Sequence, residues 1–239
     1  MTRPRVLYRL TQSHSFALSD IITVVVGPFN SPEAKKYQLH KSLLVSKSGF
    51  FRKCLGSGMR EPRSETVILH KDDSRSFSII VDLLYNSQAP LEVETRTLMS
   101  AYVTADRLLM PRLQNMLMDK MSERLCLEIG VNLEDVSWVW KNTAEGSKLR
   151  EFMVDALHRD IKSGDQYTRH ERLGNCDNGE DGSNNDKASQ LKTLMVENGA
   201  LGYELYCKAL DCTEGSTPDN DETPYGKAHK YHVEDLEEH

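Results

Sequence analysis

The amino-acid sequence predicts an α+β fold: a small sheet capped by helices, followed by an all-helical extension. Three observations carry this. Ile21-Ile22-Thr23-Val24-Val25-Val26 is an unbroken β-branched run between Ser19-Asp20 and Gly27-Pro28, the composition and punctuation of a strand. Two further strand-like segments and two short helical segments follow it closely. Beyond about residue 74 the apolar residues recur only at helical spacing, so strands come first and helices after, the order of an α+β chain.

The elements follow in order. Residues 21–26 are expected as a strand buried on both faces, because six β-branched residues stand in a row between turn residues. Asn30-Ser31-Pro32 makes a hairpin-type loop, and Tyr37–His40 is the return strand. Lys41–Lys47 and Phe50–Leu55 are short helices parted at Ser48-Gly49. Gly56-Ser57-Gly58 opens a loop, and Thr66–Leu69 is the third strand. Asp72-Asp73-Ser74 caps the next helix, since a short polar side chain accepts from the free N–H groups of the first turn. In that helix Phe77, Ile80, Val81, Leu84 and Tyr85 form an apolar stripe. Leu98, Ala101, Tyr102, Ala105, Leu108 and Leu109 form the next. Pro111 suits a helix start, with Leu113, Met116, Leu117 and Met121 on one face. Val136, Val139 and Trp140 make a short helical patch; Leu149, Phe152, Met153, Ala156 and Leu157 make a longer one. The pattern stops over Cys176–Lys187, rich in Asn, Asp and Gly, and Leu191, Leu194, Met195, Asn198, Leu201 and Leu205 restore it.

Composition narrows the function. The 239 residues carry a net charge of −6 with 38% hydrophobic residues, and mean hydropathy is −0.53. A general nucleic-acid or membrane-surface binder needs a basic face; here only Arg3, Arg5 and Arg9 cluster. Neither nucleic acid nor a membrane is an expected partner. The cysteines, Cys54, Cys126, Cys176, Cys207 and Cys212, are odd in number, and no two form a CxxC. No run approaches the ~20 apolar residues of a membrane span, and the N-terminus lacks a signal-peptide core. Together these indicate a reducing intracellular setting, cytoplasm or nucleus, with free thiols.

Four phrases in order carry a resemblance: Ser19-Asp20 before the first strand; LHKSLLVSKSGFFRKCL at 39–55; KDDSRSFSIIVDLLY at 71–85; and the helix pair through Ala105-Asp106 and Leu113. Over residues 19–121 this resembles a BTB/POZ domain. The phrase at 39–55 is similar to the family's H-K-x-x-L-x-x-x-S-x-x-F. The acidic link is similar to D-D-x-x-x-F followed by apolar residues and Tyr. The polar stretches and acidic tail resemble stand-alone fungal members more than multi-domain animal ones. The expected layout is an N-terminal segment, 1–18; a BTB/POZ domain, 19–125; a helical extension, 126–162; a disordered linker, 163–188; a C-terminal helix, 189–212; and a disordered acidic tail, 213–239.

The resemblance implies a non-enzymatic protein-interaction module with protein partners, a cullin among them. Family members that dock on cullins carry a hydrophobic-x-Glu motif before the third strand, and Met59-Arg60-Glu61 stands in that place. A methionine offers an adaptable apolar contact and Glu61 a charge for a basic partner. Pro62 and the Gly56-Ser57-Gly58 run depart from the common animal pattern. Two functions stay open: substrate adaptor of a cullin-RING ubiquitin ligase, or a self-associating scaffold or transcription-associated cofactor with no ligase link. A homodimer is compatible with either, though only Val6, Leu7, Leu10, Phe16 and Leu18 are available for an exchanged arm. No kelch repeat, MATH segment or finger array follows, so no separate substrate-reading domain is expected.

Asp20 and His40 fall at the same end of adjacent predicted strands and are expected as a structural polar pair, since an unpaired buried polar group costs ~1–3 kcal/mol. Ser42, Ser46 and Ser48 lack the elbow glycines of a nucleophile. Cys207, Cys212, His229 and His232 are zinc-finger residue types, but the Cys-to-His gap is long, the His pair close, and the finger's apolar core missing. Asp177–Gly182 imitates a calcium loop, with Gly179 at the third ligand position and Ala188 where the bidentate Glu belongs. No catalytic residue, metal or cofactor is expected.

Overall fold

The β-branched run becomes the middle one of the three strands among the described residues. In the computed structural model, which describes residues 20–28, 32, 34–56, 66–127, 130–163, 182–211 and 227–234, β1 (Ile21–Val26) lies between β2 (Lys35–His40) and β3 (Thr66–Leu69). β2 is antiparallel, with Ile21 opposite His40 and Val24 opposite Tyr37. β3 is parallel, with Val24 opposite Val67. The parallel return requires a crossover, and the chain spends it on β2, α1 (Lys41–Lys47) and α2 (Gly49–Gly56).

The expectation of burial on both faces of β1 is corrected. Ile22, Val24 and Val26 are at most 2% exposed, whereas Ile21 is 43% exposed and Thr23 and Val25 are half-buried. Alternate side chains of a strand point to opposite faces, and in this sheet only the Ile22–Val24–Val26 face joins the core. That core also takes in Leu39, Leu43, Leu44, Phe51, Leu69, Phe77, Ile79, Ile80 and Leu83 among its buried residues.

By its internal packing the chain divides into two compact units: Met1–Glu92 with Thr104–Leu113, and Val93–Val103 with Gln114–His239. The first holds the sheet, α1, α2 and α3 (Ser74–Tyr85). Asp73 caps α3, its carboxylate accepting from the Ser76 N–H at 2.9 Å. The buried stripe of α3 is Ser76, Phe77, Ile79, Ile80 and Leu83. Tyr85, expected on that stripe, is 48% exposed. The run Ile79-Ile80-Val81 followed by Leu83-Leu84-Tyr85 is apolar on two adjacent faces, and packing selects the one centred on Ile80.

A backbone latch organises this unit. The helix α4 (Thr95–Arg107) ends in a Schellman turn: the Leu109 N–H donates to Asp106 C=O and the Met110 N–H to Ala105 C=O, both at 2.9 Å. Leu109 holds the left-handed position, φ 52°, and is 49% exposed, so it leaves the stripe predicted for it. Its carbonyl accepts from the Gly49 N–H at 3.0 Å, and Leu108 C=O accepts from the Phe50 N–H at 3.3 Å. The free donors starting α2 thus meet the free acceptors ending α4. A Cβ on residue 49 would stand 3.1 Å from Leu109 Cβ, which is why glycine suits this approach. Ser48, fully buried, completes the latch: its Oγ donates to Leu108 C=O at 2.5 Å and accepts from the Phe51 N–H at 3.1 Å.

The second unit is helical. Besides residues of α4 and α5 (Pro111–Leu127), it holds α6 (Leu133–Asn142), α7 (Lys148–Ser163), α8 (Gly182–Glu197), α9 (Gly199–Asp211) and a single 3-10 turn, Ala228–Tyr231. On α5 Leu113, Leu117 and Met121 are buried as expected, while Met116 is half-buried and Met118 is buried. All five apolar residues picked for α7 are fully buried. Arg150 ties α7 to the end of α6, its guanidinium donating to Trp140 C=O at 2.7 Å and to Thr143 Oγ1 at 2.9 Å, and lying 5.3 Å from the Trp140 ring centroid.

Two expectations differ in this unit. The stretch 189–212, expected as one helix, is two, parted at Asn198, whose carbonyl accepts from the Leu201 N–H to start α9. The first of them, α8, begins at Gly182, inside the stretch 163–188 expected as linker; residues 164–181 lie outside the described ones. Within the tail, 213–239, residues 227–234 are ordered and Tyr231 is 1% exposed. A polar composition disfavours a segment having a core of its own, but one aromatic suffices to join a neighbouring core.

The latch predicts a stability effect. Ser48→Ala removes the N-cap from the Phe51 N–H and takes one of two donors from the Leu108 carbonyl, so it should cost about 2 kcal/mol. Urea unfolding of the full chain measures it; a midpoint unchanged from wild type would mean that the latch contributes nothing.

Candidate interaction site

The edge strand β2 is tied to α3 at both ends of that helix. The Tyr37 hydroxyl donates to Ser74 C=O at 2.8 Å and lies 2.8 Å from Ser78 Oγ, with its ring edge-on to Phe77 at 5.1 Å. Three residues on, the His40 N–H donates to Tyr85 Oη at 3.2 Å, and His40 Nδ1 lies 2.8 Å from the same oxygen. Both contacts are satisfied when Tyr85 accepts from the amide and donates to Nδ1. The rings meet edge-on at 5.8 Å. Asp20 is exposed, and His40 is half-buried. The Asp20 carbonyl accepts from the Lys41 N–H at 2.8 Å. Sequence reasoning missed Tyr85 as the partner of His40, because it had placed Tyr85 on the buried stripe of α3.

The triplet Met59, Arg60 and Glu61 lies outside the described residues. Its two supports are described. Upstream, α2 ends at Gly56 after exposed Arg52, Lys53 and Cys54; downstream, β3 starts at Thr66 beside Thr23 of the central strand. The anchors of the connection are therefore the latched helix and the paired strand.

A second site, unsuspected from the sequence, lies on the helical unit. Residues 227–234 run over α5 and α7. The Tyr231 ring meets Phe152 edge-on at 5.1 Å, and its hydroxyl donates to Asp155 Oδ2 at 2.7 Å. Lys230 Nζ reaches the same oxygen at 2.9 Å, while Lys208 of α9 holds Asp155 Oδ1 at 2.5 Å. His232 Nε2 lies 2.8 Å from Asp119 Oδ1. The Asn115 side chain bonds both main-chain groups of Val233: Oδ1 accepts from its N–H at 2.7 Å, and Nδ2 donates to its C=O at 3.0 Å. Asn115 and Asp119 stand four apart on α5, and Phe152 and Asp155 three apart on α7, so helical spacing sets each pair on one face. The only sequence signal was Tyr231 with Val233 in an otherwise polar stretch. His232, considered for zinc, pairs with Asp119; Cys212 lies outside the described residues.

Asp155 is the electrostatic centre of this site. Burial alone would raise its pKa, but the bonds from Lys208, Lys230 and Tyr231 outweigh that and hold it below its ordinary 3.8. A depressed carboxylate contributes stability above its unfolded pKa and loses it as pH falls through the folded value. Asp155→Asn should therefore destabilise the full chain at pH 7, and the gap to wild type should narrow as pH drops below 3.8. Denaturation midpoints at pH 7, 5 and 3 measure it; a gap independent of pH would remove the charge from the account.

Residues 10–125 match the family model of the BTB/POZ domain. The match begins ahead of Ser19, where the sequence reading opened the domain, and both end at 125. Among curated proteins the chain is similar to Kelch-like protein 26 of Danio rerio, 25% identical over 150 residues, which are 59% of this chain and 25% of that protein. It is also similar to Kelch repeat and BTB domain-containing protein 4 of Homo sapiens, 30% identical over 64 residues, 27% of this chain and 12% of that protein. The chain spans a quarter or less of the length of these relatives. No helix among the described residues is long and apolar enough to cross a membrane.

Proposed function

Residues 10–125 are a BTB/POZ domain, a protein-interaction module, and from that premise we propose that this chain is a non-enzymatic substrate adaptor of a cullin-RING ubiquitin ligase. The observation that carries the reading is the hydrophobic-x-Glu triplet Met59-Arg60-Glu61, placed in the chain between α2 and β3. Similarity to kelch/BTB proteins supports it. In this reading Met59 inserts into an apolar pocket of the scaffold and Glu61 faces a basic residue. Residues 126–162 act as the helical extension that adds surface to the contact. No residue is assigned to catalysis or to a cofactor. The setting is intracellular, cytoplasm or nucleus, where Cys54 and Cys207, both free thiols, stay reduced. Asp20 and His40 are structural, with His40 seating β2 on Tyr85.

The test is cullin capture by the full chain, compared with a Met59→Ala, Glu61→Lys double variant. Loss of an anchor and reversal of a paired charge at an interface centre remove several kcal/mol, so retention of cullin should fall at least ~100-fold. Undiminished capture would overturn the role of the triplet. If the wild-type chain captures no cullin and light scattering shows a dimer, the second reading, a self-associating scaffold or transcription-associated cofactor, replaces the first.

A further inference from the structure

The segment 227–234 is held as a bound peptide is held. It has one turn of 3-10 helix, too little to persist alone. One aromatic, Tyr231, enters the core, and the flanking residues Lys230 and His232 make charge-bearing contacts at the rim. Asn115 reads the main chain of Val233, donating to its carbonyl and accepting from its amide, a contact indifferent to the side chain there. This division, with pockets for side chains and backbone bonds for affinity, is how receptors take extended segments.

The groove also tolerates an empty state. If the segment leaves, Asp155 keeps Lys208 on its other oxygen, so no buried carboxylate is left without a cation. Asp119 is 49% exposed and Asn115 half-buried, so water can replace His232 and Val233. Phe152 loses the edge-on Tyr231 ring. The sequence places residues 212–226 between α9 and the segment; whatever their conformation, a tether of that length keeps the local concentration of the segment high.

We propose that the groove of Asn115, Asp119, Phe152 and Asp155 is a peptide-docking site, with residues 227–234 as its detachable resident ligand. The partner it takes is a short segment in which a lysine or arginine precedes a tyrosine and a histidine follows. Such a partner must first displace the tail, which makes the tail an autoinhibitor of the site. This does not depend on whether a cullin binds the other unit.

The test uses the full chain and a fluorescein-labelled peptide of residues 226–235, followed by anisotropy. Tyr231→Ala frees the groove, and this variant should bind the peptide at least tenfold more tightly than wild type. The same peptide with alanine for its tyrosine, or a chain carrying Asn115→Ala and Asp155→Asn as well as Tyr231→Ala, should bind at least tenfold more weakly. Saturable binding of equal strength by wild type, or none by a Tyr231→Ala chain with native circular dichroism, overturns the proposal. Should that variant not fold, hydrogen exchange on wild type decides. Exchange of the Val233 amide at least ten times faster than the core amides of α7 supports detachment. Exchange of both only in a common opening makes the tail a fixed part of the core and overturns it.

Discussion

The sheet-bearing unit depends on the central position of β1. Among the described residues it is the strand paired on both sides, antiparallel to β2 and parallel to β3, so its backbone groups find partners that an edge strand lacks. A three-stranded sheet with one buried face has little apolar area to spare, and Ile22, Val24 and Val26 supply its centre. Shifting that strand by one residue would turn Ile21, Thr23 and Val25 inward and expose the three best-packed residues. The register is therefore held by burial rather than by strand length, and the elements that follow are placed by reference to it.

The second constraint is polar. Two short helices can be kept beside a small sheet only if their ends are satisfied, because a helix of two turns carries at least as many free backbone groups as bonded ones. The start of α2 meets this by facing the end of α4, with Ser48 bridging and Leu109 in the left-handed turn. A leucine there stores about 1–2 kcal/mol of backbone cost relative to glycine. The bonds of its carbonyl and of Leu108 to α2 offset that cost. In the same unit, Tyr37 and His40 perform the same service for β2 by bonding α3. The histidine of the His-Lys pair at 40–41 is thus engaged with a tyrosine hydroxyl.

The helical unit shows how a polar segment, residues 227–234, is held with little hydrophobic content of its own. One tyrosine joins the Phe152 side of α7, one carboxylate gathers three donors, and one asparagine holds the main chain. Each contact is local to two helices that their own apolar stripes already specify. That hierarchy, a core built by periodicity and a segment added by a few directed bonds, is what separates the tail from the helices it lies on.

Much of the architecture was legible in the sequence. Thr66–Leu69, Lys41–Lys47, the Asp73 cap and the stripe Leu149–Leu157 stand where periodicity and capping chemistry set them, because those signals act within one or two turns of chain. The phrases at 39–55 and 71–85 pointed to the BTB/POZ domain that residues 10–125 form. What stayed illegible was the choice of face and of distant partner. Val81 and Leu84 are as apolar as Ile79 and Leu83, and Leu109 is as apolar as Leu108. The sequence by itself determined the order and type of the elements from β1 to α7 and the family, through periodicities and bonds that close within a few residues. Only the tertiary structure decided which face of β1 and α3 is covered, that Leu109 turns outward, and that residues 230–233 bond Asn115 and Asp155. Those outcomes rest on groups dozens of residues apart, whose meeting no local spacing records.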